Sequence, residues 1–204
     1  MTLEEVHKIH DAIGNRSENQ LLEAVGLALE FSETRAKIID PAKAEAVLRQ
    51  MCQAFLDDDN FLYAGALLLP KYMFDPRPKY TIDIVDAYVP SNQLLLQGSN
   101  GVSKSWLLSI LGYLDWWRDP RYTMVKMAAV NEDHLKKTLM ANVRNFHRSA
   151  SLPVPNVTDN DLYLGLADGL PDMGITGVLF PQGEQGSGRI RGYRPKPIRE
   201  EPHP

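Results

Sequence analysis

One stretch, residues 93–111, "QLLLQGSNGVSKSWLLSIL", constrains the fold of this chain more than any other. A short apolar run at residues 92–97 has the composition of a buried strand, and residues 104–117 carry apolar side chains at the spacing of a helix. A further apolar run at residues 122–130 is typical of a second strand. Strand, loop, helix and strand in this order predict an α/β fold, with a parallel sheet flanked by helices.

The loop "GSNGVSKS" has the chemistry of a phosphate-binding loop of the P-loop NTPase type. Such a loop needs small residues whose backbone N–H groups surround a phosphate, a lysine for the β and γ phosphates, and a hydroxyl for Mg²⁺. The backbone residues here are Gly98, Ser99, Asn100, Gly101, Val102 and Ser103, followed by Lys104 for the phosphates and Ser105 for Mg²⁺. Ser103 alone departs from the pattern GxxxxGK[ST]. The sequence therefore predicts binding of ATP with Mg²⁺, and the alternative is an ordinary turn between a strand and a helix.

Composition limits the class of protein. With 204 residues, 44% of them hydrophobic, the chain can bury a substantial core, and its net charge of −4 gives no general sign of a nucleic-acid binder. A single cysteine, Cys52, excludes an internal disulfide framework and a multi-cysteine zinc site. The sequence has neither a signal peptide nor an apolar run of membrane-spanning length. We therefore expect no membrane association and a cytoplasmic location, in the host cell if the protein is viral.

Two regions are predicted along the chain. Residues 1–75 have a helical pattern that includes a buried helix in "FLYAGALLLPKYMF" (61–74), and two prolines in "DPRPKY" mark a boundary after them. Residues 76–204 form the predicted P-loop domain. Within it, Asn131 is placed to cap a helix that ends near Ser151, and residues 177–180 are predicted as another strand.

Three segments together resemble a known family. They are "LLLQGSNGVSKSWLLSILGYLDWW", "TMVKMAAVNEDHLKKTLMANVRNFHRSASLP" and "GVLFPQGEQGSGRIRGYRP". They resemble the N-terminal ATPase domain of phage terminase large subunits, the motors that package viral DNA, over residues 92–197. The resemblance implies an ATP- and Mg²⁺-dependent motor that acts on double-stranded DNA. It also implies a terminase small subunit and a portal as partners, and a ring of identical copies as the working assembly.

The chain departs from that family in several places. Ser99 and Asn100 stand where family members often carry an arginine that points toward the γ-phosphate. The family's glutamine-type adenine motif is not evident, and Tyr80 or Tyr88 is the upstream side chain that could stack on a base. No apolar strand ending in Asp-Glu follows the loop before Pro204. Because these two carboxylates hold Mg²⁺ and activate water, the catalytic residues are not assigned, and we expect the chain to be a fragment that stops before the Walker B strand.

Two groups of basic residues are candidates for DNA contact. They are Lys137, Arg144 and Arg148, spaced for one helix face, and Arg189, Arg191, Arg194 and Lys196 in the tail. Solvated surface charge explains both groups equally well.

Two other functions stay open at this point. One is a different nucleic-acid motor, a helicase or a primase-helicase, which shares the same loop chemistry. The other is a non-catalytic nucleotide- or DNA-binding structural module with a decayed phosphate loop, which Ser103 and the missing carboxylates favour and the intact Lys104-Ser105 pair opposes.

Overall fold

A computed structural model describes residues 41–70, 72, 78–90, 104–170 and 172–179 of the chain. In this part, the helices before the first strand are α1 (Pro41–Asp57), α2 (Phe61–Leu68), α3 (Pro78–Tyr88) and α4 (Lys104–Arg118). The strands are β1 (Met124–Ala129), β2 (Val157–Asn160), β3 (Tyr163–Leu166) and β4 (Gly174–Leu179). The helices predicted before residue 41 and the strand predicted at 92–97 lie outside the described residues.

Helix α2 confirms the prediction of a buried helix in residues 61–74. Every residue of α2 is buried, as expected for a helix that is apolar on all sides. It ends at Leu68, just before Pro70, whose ring is incompatible with a continuing helix. Helix α2 packs against both α1 and α4, so it is an interior element. None of the described helices has the length and apolar character needed to span a bilayer.

The sheet is mixed, whereas the sequence predicted a parallel one. Its strand order is β1-β4-β3-β2. Strands β1 and β4 are parallel, in a register that runs from Met124 opposite Gly174 to Ala129 opposite Leu179. Strands β3 and β2 are antiparallel to their neighbours. The prediction of an α/β fold is therefore confirmed, but the prediction that all strands are parallel is wrong.

The hairpin of β2 and β3 is the reason for that error. Polar residues dominate β2, three of its four residues are exposed, and it shows no apolar alternation that would identify a strand. It forms because it pairs with β3, whose two central residues are buried. Strand β4 (Gly174–Leu179) includes residues 177–179 of the predicted strand at 177–180 but begins earlier, at Gly174. Residue 180 lies outside the described residues.

A continuous helical segment, residues 132–149, follows β1. It consists of a helical turn α5 (Glu132–His134), a π-helical section (Leu135–Met140) and α6 (Ala141–Ser149). Asn131 caps its start as predicted, since the Asn131 side chain accepts a hydrogen bond from the His134 N–H at 3.1 Å. The segment ends at Ser149, two residues before the predicted Ser151.

Removal of the Asn131 cap should weaken the fold measurably. Asn131→Ala leaves the N–H of His134 without its acceptor, so we expect the free energy of unfolding to fall by about 1 kcal/mol. Asn131→Ser retains a side-chain oxygen and is the matched control. Urea denaturation followed by circular dichroism measures both variants, and equal stability of the Ala and Ser variants would contradict a capping role.

One hydrophobic core joins the helical and α/β parts of the described chain. It extends from Leu48 in α1 to Ile175 in β4. The loop after α6 crosses from one part to the other: the Ser151 N–H donates to the Leu68 carbonyl at 2.9 Å, and the Trp117 indole N–H donates to the Leu152 carbonyl at 2.8 Å. The helices on both sides of the predicted boundary at residues 75 and 76 therefore share this core.

Candidate functional site

Lys104 and Ser105 are the first two residues of α4, a helix of 15 residues. Both side chains are partly buried. The other predicted phosphate-loop residues, Gly98, Ser99, Asn100, Gly101, Val102 and Ser103, lie outside the described residues. Of the predicted loop, the structure therefore places the lysine and the hydroxyl, and it places them in one helical turn.

The start of α4 lies toward the carboxyl end of β1. Helix α4 packs against β1, and only residues 119–123 separate the end of α4 from the start of β1. A connection this short makes the helix and the strand antiparallel neighbours. They are also similar in length, about 22 Å for 15 helical residues and about 20 Å for 6 extended residues. The carboxyl ends of parallel strands are where α/β proteins commonly bind ligands.

Close contact between α4 and β1 depends on Gly112. A Cβ atom at this position would lie 3.1 Å from Met127 Cε and 3.2 Å from Val125 Cγ1. The absence of a side chain therefore lets this turn of α4 approach the strand. One turn closer to its start, Ser109 is buried, and its hydroxyl donates to the Ser105 carbonyl at 2.7 Å, which gives the buried hydroxyl a hydrogen-bond partner.

A cleft of about 330 Å³ lies between α4 and β1. Its lining residues are Tyr88 from α3, Ser105, Leu108, Ser109 and Gly112 from α4, Val125, Lys126, Met127 and Ala128 from β1, and His134 and Leu139 from the helical segment that follows. The volume is at the lower end of the range of about 300–1,000 Å³ for small-molecule sites. The cleft combines an apolar wall with a few hydroxyl and basic groups, which is the usual composition of such a site.

The electrostatics at the start of α4 favour an anion. The first turn of α4 has no acidic side chain, and it carries the ammonium group of Lys104. The unpaired backbone N–H groups of a helix N-terminus add partial positive charge at the same place. A phosphate is therefore the kind of group that this end of the helix can bind.

Tyr88 is held at the cleft by a half-buried acid, Asp115. Its phenol O–H donates to Asp115 Oδ2, and its ring meets Phe61 edge-on at a centroid distance of 5.7 Å. Burial raises the pKa of Asp115, and the hydrogen bond from Tyr88 and the charge of Arg118 oppose part of that rise. Burial and the adjacent Asp115 also raise the pKa of Tyr88, so this phenol stays protonated at neutral pH.

The predicted DNA-contact residues of the helical segment each have a partner in the chain. Arg148 forms an ion pair with Asp159 at 3.1 Å, and Arg144 donates to the Asn160 carbonyl at 2.7 Å, so both reach the β2–β3 hairpin. Lys137 pairs instead with Asp133 on its own helix at 3.2 Å. The structure thus brings Arg144 and Arg148 together but gives Lys137 a different neighbour. The tail candidates, Arg189, Arg191, Arg194 and Lys196, lie outside the described residues.

Sequence reasoning did not identify Lys126 and His134, which also line the cleft. The available signal for Lys126 was its position as a charged residue within the apolar run of β1. His134 had no such signal, because only the turn between β1 and α5 brings it to the cleft. Comparison of the chain with protein-family models, with curated proteins and with solved structures gives no match.

Proposed function

We propose that this chain is the nucleotide-binding part of a terminase-like DNA-packaging ATPase and that it binds Mg-ATP at the start of α4. The observation that carries the proposal is the position of Lys104 and Ser105. They open a long helix at the carboxyl end of β1, beside a cleft that Ser105 lines. The lysine and hydroxyl of the sequence motif therefore stand together where a phosphate can approach the helix terminus.

Each residue has a separate role in this proposal. The ammonium group of Lys104 neutralises the β and γ phosphates, and the hydroxyl of Ser105 is a ligand for Mg²⁺. Backbone N–H groups from Gly98 to Ser103 surround the β-phosphate. The absence of acidic side chains in the first turn of α4 suits this arrangement, because a carboxylate there would repel the phosphates.

The proposal concerns binding of ATP. Cleavage of the γ-phosphate needs an aspartate for Mg²⁺ and a residue that orients water, and the sequence places no apolar strand ending in Asp-Glu after the loop. The role in packaging double-stranded DNA, with a small subunit and a portal as partners, is proposed from the resemblance of residues 92–197 to terminase ATPase domains.

Lys104→Ala tests the proposal. Loss of a charged hydrogen-bonding group should cost about 1.5–3 kcal/mol of binding free energy, which weakens ATP binding between about 10- and 150-fold. Titration with a fluorescent ATP analogue and Mg²⁺ measures this change. Lys137→Ala is the matched control, since Lys137 is exposed and pairs with Asp133 on its own helix.

A second variant tests Ser103, the residue at which the loop departs from the common motif. Ser103→Gly restores the glycine of the common motif, so it should bind the analogue as tightly as the natural chain or more tightly. Unchanged affinity of Lys104→Ala would contradict the assignment of the lysine. If no form of the chain binds the analogue, "GSNGVSKS" is a turn, and the alternative of a decayed loop is favoured.

A further inference from the structure

The cleft between α4 and β1 continues away from the start of α4. Its α4 residues run from Ser105 to Gly112, which is about 10 Å along the helix axis. A ligand with its phosphates at Lys104 and Ser105 can therefore extend into the cleft along α4. The volume of about 330 Å³ is small for a site, so it suits part of a nucleotide rather than a large substrate.

The walls of the cleft suit a flat, apolar group. Leu108, Val125, Met127 and Leu139 supply aliphatic surface. The Leu108 side chain is 40% exposed, although most residues of α4 are buried. An apolar ligand group in the cleft would remove this surface from water, which is favourable.

Tyr88 adds an aromatic ring whose polar end is already occupied. Its O–H donates to Asp115, so the group that Tyr88 can offer a ligand is its ring. The contact with Phe61 and the bond to Asp115 hold the ring from two sides, which reduces the entropy that is lost when a ligand stacks on it. Stacking on a fixed aromatic ring is a common way to bind a nucleobase without reading its hydrogen-bonding edge.

We propose that this cleft receives the nucleoside half of the bound nucleotide and that Tyr88 stacks on its base. The inference rests on the proposed function, because it takes the phosphates to lie at Lys104 and Ser105. It assigns Tyr88 as a residue that distinguishes a nucleotide from a bare polyphosphate. Since stacking is available to every base, we expect tighter binding of ATP than of inorganic tripolyphosphate but only modest selection among bases.

The test compares two probes, ATP and inorganic tripolyphosphate, each with Mg²⁺, by isothermal titration calorimetry. Tyr88→Leu removes the ring and should weaken ATP binding about tenfold, the effect of one lost stack, while tripolyphosphate affinity stays unchanged. Tyr88→Phe keeps the ring and should bind ATP within about threefold of the natural chain, because only the bond to Asp115 is lost. Tyr122→Leu is the matched control, since Tyr122 is exposed and does not line the cleft.

Retained tripolyphosphate binding shows that Tyr88→Leu is folded. If Tyr88→Leu keeps full ATP affinity, or loses both probes in parallel, the proposed stacking is wrong. Equal affinity of the natural chain for ATP and tripolyphosphate also overturns it, and leaves the phosphate site intact. If the natural chain binds neither probe, the proposed function fails, and the inference fails with it.

Discussion

Phe146→Ala should lower the free energy of unfolding by about 3–5 kcal/mol, the usual cost of removing a buried aromatic ring. The Phe146 side chain is fully buried. Its ring meets Trp106 edge-on at a centroid distance of 4.8 Å and contacts Tyr72 at 5.6 Å. Alanine leaves a cavity between α6 and the start of α4, and neither helix can close it without moving.

Denaturation in urea, followed by circular dichroism, measures this loss. Phe146→Leu keeps most of the apolar volume and should cost far less, about 1–1.5 kcal/mol, so it serves as the control. Leu108→Ala removes an exposed apolar side chain from the same helix that Phe146 packs against, and it should change stability little. A loss below about 1 kcal/mol for Phe146→Ala would contradict the packing described here.

The same substitution should also weaken the nucleotide binding that we propose, under conditions where the chain is still folded. Trp106 follows Ser105 directly and contacts Phe146, so a cavity at Phe146 removes support from the first turn of α4. A ligand site needs side chains held in place by their own packing. We therefore expect weaker binding of ATP to Phe146→Ala than to Phe146→Leu.

The parts of the fold that were predicted correctly have local signals. Helix α4 begins at Lys104, which follows a run of small residues in the sequence, and ends just before Asp119-Pro120. Both of its limits can therefore be read from neighbouring residues. Asn131 likewise identifies the start of the segment that it caps. The strand β1 is a short apolar run with turn residues on both sides.

The π-helical section could not be predicted, because its cause is tertiary packing. Leu135 and Met140 are both fully buried although they lie five positions apart, a spacing that places side chains on different faces of an α-helix. A π-helical section, with its wider i→i+5 turn, brings both toward the core. It also explains why Lys137 and Arg144, whose seven-residue spacing crosses this section, have partners in different places.

The residues of the candidate site likewise differ in whether the sequence alone identifies them. Lys104 and Ser105 belong to a contiguous motif, so the sequence alone identifies them. Tyr88 could be named only as one of two tyrosines before the loop, and Lys126 and His134 were not identified. These residues come from three other elements, and they line one cleft only because α3, β1 and the segment after β1 surround α4.

Gly174→Ala should lower the free energy of unfolding by about 2–5 kcal/mol, because two independent costs add. Gly174 has a φ of +116°, which side chains rarely tolerate. A Cβ atom there would also lie 2.6 Å from the Leu164 carbonyl oxygen, which belongs to the backbone of β3 and cannot rotate away. Thermal and urea denaturation of the variant measure the loss.

Gly177→Ala is the matched control in the same strand. A Cβ atom at Gly177 would contact the ends of flexible side chains, with Leu162 Cδ2 closest at 3.0 Å, and the backbone of Gly177 is not at positive φ. Its cost should be about 1 kcal/mol, at the low end for overpacking. If Gly174→Ala is no less stable than Gly177→Ala, β4 does not begin with this glycine. The pairing of Met124 with Gly174 would then be wrong, and so would the register of the parallel strands beside the start of α4.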